Sequence, residues 1–171
     1  MVWAVCGPWQ AQAAQATTPT WPLVGEGKFT FWGLSIYHAE LRAPAPLTPE
    51  RWAMQAFSLT LTYARTFSGE DIAQRSLKEM QRDPNMDRSR ESAWLQQMQA
   101  CIPNVVEGDA ITGTYTPAQG IRFTHNGQTT CEVQDPAFAK QFMGIWLGTS
   151  TSEPTLRQAL LGGTSRASAG S

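Results

Sequence analysis

The chain lacks the features that usually mark a nucleic-acid-binding or membrane-spanning protein. Its 171 residues include 13 basic and 14 acidic side chains, so no charge excess attracts it to phosphate or anionic lipid. No basic stripe with interleaved aromatic residues is present, and we expect no nucleic-acid partner. No stretch approaches the roughly 20 apolar residues of a transmembrane helix. The 42% hydrophobic content is that of one globular domain able to bury a substantial core.

Recognisable catalytic motifs are also missing. The sequence contains no G-x-S-x-G elbow, P-loop, dinucleotide fingerprint or C-x-x-C pair. Its two histidines, His38 and His125, fall in separate predicted strands without cysteine or carboxylate at ligand spacing, which does not favour a metal site. The adjacent acids Glu70 and Asp71 open a predicted helix, where they complement the macrodipole. We therefore expect no catalytic residues, no cofactor and no metal.

The N-terminus has the composition of a secretory signal. Residues 1–9 are small and apolar, and A-x-A patterns for signal peptidase end at Ala13 and Ala16. No basic residue precedes the apolar stretch, so the true signal could begin upstream; the alternative is an Ala/Gln-rich tail. We expect a signal peptide over 1–16, a Thr/Pro linker over 17–22, a domain over 23–162 and a disordered tail over 163–171. The predicted location is the periplasm.

The three cysteines are compatible with export. Cleavage after residue 16 would remove Cys6 and leave Cys101 and Cys131, an even pair in an oxidising compartment. A disulfide between them would close a loop of about 30 residues and stabilise the fold by about 3 kcal/mol. Two buried free thiols are the alternative.

Apolar periodicity predicts an α+β fold. Alternation is clearest from Phe57 to Thr66, where Phe57, Leu59, Leu61 and Tyr63 share one face. One or two strands are predicted over 28–41, with a bulge or bend at Gly33, and further strands over 110–115, 121–125 and 128–133, the last two joined by an Asn126-Gly127 turn. Helices are predicted over 49–56, from 68, over 87–101, over 138–148 and from 156. Strands, helices, strands and helices in this order suggest an antiparallel sheet with helices on one face.

Arg65 is the most suggestive polar residue. It continues the alternation of the 57–66 strand, which would turn its guanidinium toward the apolar face, where it would need a partner. One interpretation is a clamp for the carboxylate of an apolar ligand, with Tyr63 or Tyr37 adding a hydroxyl. The other is that Arg65 lies at the end of the strand, reaching solvent or pairing with a helix carboxylate.

Tryptophan is abundant, with seven residues. Trp32, Trp94 and Trp146 each fall in a predicted element and would fill volume between the sheet and the helices. Such aromatic residues belong to a core more often than to a ligand pocket.

Several segments taken together resemble the bacterial chalcone isomerase-like proteins over roughly residues 23–162. They are Gly25-Glu26-Gly27 followed by Phe29-Thr30-Phe31-Trp32-Gly33-Leu34-Ser35-Ile36-Tyr37, then Leu59-Thr60-Leu61-Thr62-Tyr63-Ala64-Arg65, Glu107-Gly108-Asp109, and Phe138-Ala139 running into Ile145-Trp146-Leu147-Gly148. The resemblance implies an open-faced β-sandwich, in which a large antiparallel sheet is covered on one face by a helix layer.

The resemblance also implies where a site would lie. Aligned with the plant isomerases, Trp32 takes the place of the strand threonine, Ile72 of the tyrosine, Arg75 of the lysine and Glu79 of the asparagine. The plant isomerases also use an essential arginine, which the resemblance would place between Thr17 and Phe29, but no arginine occurs there. The non-catalytic branch includes plastid fatty-acid-binding proteins, whose arginine and tyrosine are also missing here. Arg65 or Arg75 would have to bind an acidic lipid instead.

These observations lead to one preferred function and two alternatives. We expect a non-enzymatic exported protein that binds a small apolar or fatty-acid-like ligand between helices and sheet, with Arg65, Arg75, Tyr37, Tyr63 and Trp32 as candidate ligand-binding residues. The alternatives are a cofactor-free isomerase or lyase with a non-standard residue set, and a purely structural or interaction protein. No feature identifies a protein partner.

Overall fold

The regular structure consists of a six-stranded antiparallel sheet and four α-helices within residues 20–163, the part of the chain that the computed structural model describes. The strands pair in sequence order. They are β1 Leu23–Phe31, β2 Leu34–Arg42, β3 Phe57–Tyr63, β4 Ala110–Thr116, β5 Gly120–His125 and β6 Gln128–Val133. The helices are α1 Gly69–Met80, α2 Glu91–Cys101, α3 Pro136–Leu147 and α4 Pro154–Leu160. This architecture confirms the predicted α+β open-faced sandwich.

Two hairpins turn on residue pairs with positive φ. Asn126 and Gly127, with φ of 49° and 83°, join β5 to β6 as the Asn-Gly sequence predicts. Trp32 and Gly33, with φ of 51° and 73°, join β1 to β2 in the same way. The prediction of a bulge or bend at Gly33 is thus replaced by a tight turn between two separate strands.

Side-chain caps fix the starts of helices α1 and α3. The Ser68 hydroxyl accepts a hydrogen bond from the Asp71 backbone N–H at 3.0 Å at the start of α1. At the start of α3 the Asp135 carboxylate accepts from two backbone N–H groups at 3.1 Å, and Pro136 follows in the first turn. Both helices therefore begin at defined positions over the sheet.

The two faces of the sheet differ in polarity. Phe57, Leu59, Leu61 and Tyr63 of β3 are buried under the helices, as the alternation predicts. The opposite face carries small hydroxyl side chains, among them Ser58, Thr60, Thr112 and Thr124, and the Thr60 and Thr112 hydroxyls lie 2.8 Å apart. Helix α3 packs over β5, α4 over β1, and α1 contacts both α2 and α3.

The structure differs from the sequence prediction around β3. The helix predicted over 49–56 is only a single 3-10 turn, Trp52–Met54. Strand β3 ends at Tyr63 and not at Thr66, because Phe67 leaves the main sheet to form an isolated bridge with Val105. The N-terminal turn of the helix predicted over 87–101 is also 3-10, over Arg88–Arg90, before α2 begins.

Cys101 and Cys131 form a disulfide with a Cα–Cα distance of 5.4 Å. It ties the end of α2 to β6, an edge strand of the sheet. Of the two alternatives left open by the sequence, the structure shows the bonded pair. Among residues 20–163, no helix has the length and apolar character needed to cross a bilayer. The expected signal over 1–16, the first residues of the linker and nearly all of the tail lie outside the described residues.

Candidate functional site

A cavity of about 340 Å³ lies between the helix layer and the sheet. Strands β1 to β5 form its floor, and α1 and α3 form its cover. Its volume is within the range of small-molecule pockets. The apolar lining consists of Phe29, Phe31, Ile36, Leu59, Leu61, Phe67, Ile72, Ile102, Ile111, Gly113, Phe123, Phe142, Met143 and Ile145.

Helix α1 supplies a mixed row of side chains to the cavity. Ile72, Arg75, Ser76 and Glu79 recur at helical spacing and all line it. The Ser76 hydroxyl is bonded to its own helix, donating to the Ile72 carbonyl at 2.7 Å. Only Ile72 in this row is apolar, so sequence periodicity does not reveal the full inward face of the helix.

Tyr37 and Tyr63 place two phenol groups in the cavity, with ring centroids 5.9 Å apart. The Trp146 indole N–H donates to the Tyr37 oxygen at 2.9 Å, which leaves the Tyr37 proton available. Among residues 20–163, neither phenol proton has a hydrogen-bond acceptor, and the Tyr63 hydroxyl has no partner of any kind. The two tyrosines therefore offer hydrogen-bond donors to a guest in the cavity.

Burial keeps both phenols protonated. Burial raises the pKa of Tyr37 to about 12; the Trp146 hydrogen bond opposes this, and the nearby Glu153 and Glu79 carboxylates add to it. Burial also raises the pKa of Tyr63 well above its ordinary value. Both groups are donors at any physiological pH.

One end of the cavity carries charge. The Arg75 guanidinium pairs with the Glu79 carboxylate at 2.9 Å and lies 5.8 Å from the centroid of the Phe31 ring. The Glu79 side chain is only 12% exposed, and its second oxygen lacks a hydrogen bond within the described residues, with the Arg82 side chain 3.9 Å away. Asp71 and Glu153 also line the cavity, so carboxylates outnumber the single guanidinium of the lining.

The structure brings together three of the five predicted ligand-binding residues. Tyr37, Tyr63 and Arg75 line one cavity. Arg65 does not, because β3 has ended before it; its side chain is exposed and its Nε donates to the Ser35 carbonyl at 3.2 Å. Trp32 is also outside the cavity lining and is 87% exposed at the tip of the β1–β2 hairpin.

Residues missed by the sequence analysis complete the lining. Trp146 was assigned to the core, but it holds the Tyr37 hydroxyl as well as packing in the core. Glu153 lies in the loop between α3 and α4, where no motif marks it. A contact between Trp146 and Tyr37, 109 positions apart, is set by the fold and has no local signal.

His38 lies on the other face of the sheet. Pairing of β1 with β2 places Glu26 opposite Glu40, and the ligand atoms of Glu26, His38 and Glu40 lie within 4.8 Å of one another. The expectation of no metal site at His38 rests on sequence spacing, whereas this group is assembled by the cross-strand register of β1 and β2. The carboxylates are already engaged, Glu26 by His38 at 2.9 Å and Glu40 by Arg42 at 3.2 Å.

His125 belongs to a hydrogen-bonded group of side chains that is centred on Asp109, beside the start of β4. The Asp109 carboxylate accepts from the Asn126 amide at 3.0 Å and the Val106 backbone N–H at 2.9 Å, and lies 3.2 Å from His125. These contacts, the Asn126 hydrogen bond first, lower the pKa of Asp109 to about 2. The Glu107-Gly108-Asp109 segment thus fixes the start of β4.

A second concavity, of about 640 Å³, lies beside the β4–β5 turn. Its charged residues Arg122 and Glu132 pair with each other at 2.6 Å, and the rest of its lining mixes threonine and glutamine with apolar residues such as Trp21, Ile121 and Val133. It offers no enclosed apolar volume comparable to the first.

An α+β open-faced sandwich with an apolar cavity between helices and sheet defines the class of this protein. A family model described as chalcone isomerase-like matches residues 10–162. The chain belongs to the chalcone isomerase-like family. A curated relative, an uncharacterized protein of Haemophilus influenzae, is 26% identical over 144 residues, covering 84% of this chain and 69% of the relative. The crystal structure of a fatty-acid-binding protein from Arabidopsis thaliana matches 82% of this chain and 86% of its own, with a TM-score of 0.65 and 12% identity.

Proposed function

We propose that this protein binds a fatty-acid-like ligand in the cavity, with the hydrocarbon chain among the apolar side chains and an oxygen of the polar end between Tyr37 and Tyr63. The observation that carries this proposal is the pair of phenol donors, both without acceptors in the 20–163 region, inside an otherwise apolar cavity. The Tyr63 oxygen is not a sealed, unsatisfied atom but is accessible from the cavity, where a ligand carbonyl or carboxyl oxygen could accept its proton. The similar Arabidopsis structure is that of a fatty-acid-binding protein, which supports the same class of ligand.

The charges at the polar end favour a neutral head group. Arg75 is already paired with Glu79, and Asp71 and Glu153 add further negative charge. A free carboxylate would have to displace Glu79 from the guanidinium, whereas a protonated acid or an ester would not. We therefore expect an acid to bind more weakly as the pH rises and an ester to bind independently of pH.

The cavity is poorly suited to acid–base catalysis, so we propose a binding protein and not an isomerase or lyase. A general acid or base works best with a pKa near the working pH. Tyr37 and Tyr63 have pKa values raised far above neutrality. The guanidinium that could stabilise a developing oxyanion is held by Glu79. A solidly packed structural protein is disfavoured by the cavity itself.

We further propose that the protein is exported to an oxidising compartment such as the periplasm. The Cys101–Cys131 disulfide supports this, since such bonds persist outside the reducing cytosol. A non-reducing peptide map of protein from the periplasmic fraction would give one linked peptide pair. Two free thiols in that fraction would contradict the proposal.

Native mass spectrometry tests the ligand proposal. Protein purified from the producing cells is compared with a delipidated sample, which is then offered a long-chain fatty acid, its methyl ester and the alkane of equal length. We expect acid and ester to bind at one equivalent and the alkane to bind more weakly, because it cannot accept a hydrogen bond. No uptake of acid or ester by folded, delipidated protein would refute the proposal.

The chain offers a matched pair of variants for this assay. Tyr63→Phe removes a donor from the cavity and keeps the ring, whereas Tyr115→Phe removes a hydroxyl that donates to the Ala53 carbonyl outside it. One lost hydrogen bond should weaken ester binding about 2- to 10-fold in Tyr63→Phe. Tyr115→Phe should bind like the wild type. Equal affinities for all three proteins would place the ligand oxygen elsewhere.

A further inference from the structure

The tip of the β1–β2 hairpin is an exposed apolar surface. Phe31, Trp32 and Leu34 are 47%, 87% and 48% exposed, and with Gly33 they form what we call the hairpin tip. Single exposed apolar residues are ordinary, but three in four consecutive positions on a projecting turn are not. The group is not required by the core, because only Phe31 contributes to the lining of the cavity.

Trp32 is also in an unfavourable conformation. Its φ of 51° lies in the left-handed region, which bulky side chains avoid. The other tight turn provides an internal comparison: Asn126 has a φ of 49° at the equivalent position, followed by a glycine in both turns. Asparagine is the favoured residue there and tryptophan is not. A strained, exposed tryptophan in place of the favoured residue indicates that Trp32 has a role other than stabilising the fold.

Cations flank the hairpin tip. The exposed side chain of Arg65 is held beside it by the hydrogen bond to the Ser35 carbonyl, and within the described chain Arg65 forms no ion pair. Arg75 is 52% exposed and lies 5.8 Å from the centroid of the Phe31 ring, but its charge is paired with Glu79, so Arg65 is the unpaired cation at this surface in the described part of the chain. Aromatic side chains beside an unpaired arginine match the interface of a bilayer, where indole rings sit at headgroup level and cations meet anionic lipid.

We infer that the hairpin tip inserts into the surface of an anionic lipid bilayer, through its apolar side chains and the local charge of Arg65, since the net charge of −1 provides no attraction. A convex turn with three apolar side chains is too small for a stable protein interface, which buries about 1,200 Å² or more. A bilayer needs no matching surface and accepts a projecting indole. Phe31 belongs both to the hairpin tip and to the cavity lining, so docking would bring the cavity to the lipid. This inference does not depend on the identity of the cavity ligand.

Vesicle flotation tests the inference. The full chain is mixed with vesicles of phosphatidylcholine and phosphatidylglycerol, or of phosphatidylcholine alone, and the bound fraction is measured at low and high salt. We expect binding to the mixed vesicles that weakens with salt. Trp32→Asn creates an Asn-Gly turn that should keep the fold, and should lower the partition coefficient by about tenfold or more. Arg65→Gln should lower it about fivefold on mixed vesicles only.

A matched control is an exposed apolar residue away from the hairpin tip. Met54 is 66% exposed in the turn before β3, so Met54→Gln should bind vesicles like the wild type. No flotation of the wild type, or equal flotation of Trp32→Asn with a melting temperature no lower than that of the wild type, would overturn the inference. Concentration-dependent dimers that disappear in Trp32→Asn, without vesicle binding, would also overturn it and assign the hairpin tip to a second copy of the chain.

Discussion

Replacing Tyr63 by phenylalanine should weaken ligand binding without lowering the stability of the ligand-free protein. Tyr63 is 5% exposed, and its ring packs against Tyr37 and Phe67 with centroid distances of 5.9 Å in both cases. Phenylalanine keeps these contacts and removes a hydroxyl that has no hydrogen-bond partner in the described part of the chain. Burying such a group costs about 1–3 kcal/mol, less where a cavity water can hydrate it. We expect the ligand-free Tyr63→Phe protein to be as stable as the wild type or up to about 1 kcal/mol more stable.

The other two tyrosines serve as comparisons in the same experiment. Tyr115→Phe loses one bond, from its hydroxyl to the Ala53 carbonyl at 2.9 Å, and should lower the free energy of unfolding by about 1 kcal/mol. Tyr37→Phe leaves the Trp146 indole N–H without its acceptor and should lower it by about 1–3 kcal/mol.

Urea unfolding of delipidated samples, followed by circular dichroism, would measure the three variants. A larger loss of stability in Tyr63→Phe than in Tyr115→Phe would refute the reasoning, because it would show that the Tyr63 hydroxyl is satisfied in the empty protein. A smaller loss of stability in Tyr63→Phe than in Tyr115→Phe would indicate that the Tyr63 hydroxyl is retained for ligand binding at some cost in stability.

Three further predictions concern the rest of the fold. Because burial raises the pKa of Tyr37 from 10.0 to about 12 and also raises that of Tyr63, the unfolded state loses these protons first; stability should be unaffected below about pH 10, and Tyr37 alone should lower it by about 3 kcal/mol between about pH 10 and 12, with Tyr63 adding to the loss, which absorbance at 295 nm during alkaline unfolding would check. The Cys101–Cys131 bond joins residues 30 positions apart, and its reduction should lower the free energy of unfolding by about 3 kcal/mol; a comparison of urea titrations with and without reductant would measure this difference. Gly25→Ala would bring a Cβ within 2.1 Å of a carbonyl oxygen of α4 and should lower the melting temperature, whereas the control Gly144→Ala, with no neighbour within 4 Å, should raise it slightly.

The elements with a local signal were predictable from the sequence. The alternation from Phe57 to Tyr63 identifies strand β3, and Asn126-Gly127 identifies the β5–β6 hairpin, because both patterns follow from the backbone geometry of only a few residues. The family resemblance placed Arg75 on the inward row of α1, where it lines the cavity. These signals were enough for the fold class and for part of the candidate site.

The remaining parts of the site depend on long-range pairing. Arg65 continues the apolar alternation in the sequence, but β3 ends at Tyr63 because Phe67 pairs with Val105, and no local pattern reveals that bridge. The pairing of Trp146 with Tyr37 likewise arises only when α3 docks on the sheet. Residue type and spacing therefore suggested which groups could bind a ligand, but tertiary packing decided which of them line the cavity.

The order of the strands has a consequence for how the protein folds. Strands β1 to β3 and strands β4 to β6 are two local meanders, and the whole α1–α2 segment is inserted between them. The two meanders join only along β3 and β4, where Phe57 stacks on Tyr115 at a centroid distance of 5.0 Å. Pairing of β3 with β4 requires closure of the long chain segment that contains α1 and α2. We expect this pairing to be the slow step of folding, because the closure costs conformational entropy. Each meander can form early by itself, while the cavity, whose floor spans both, exists only after the seam has closed.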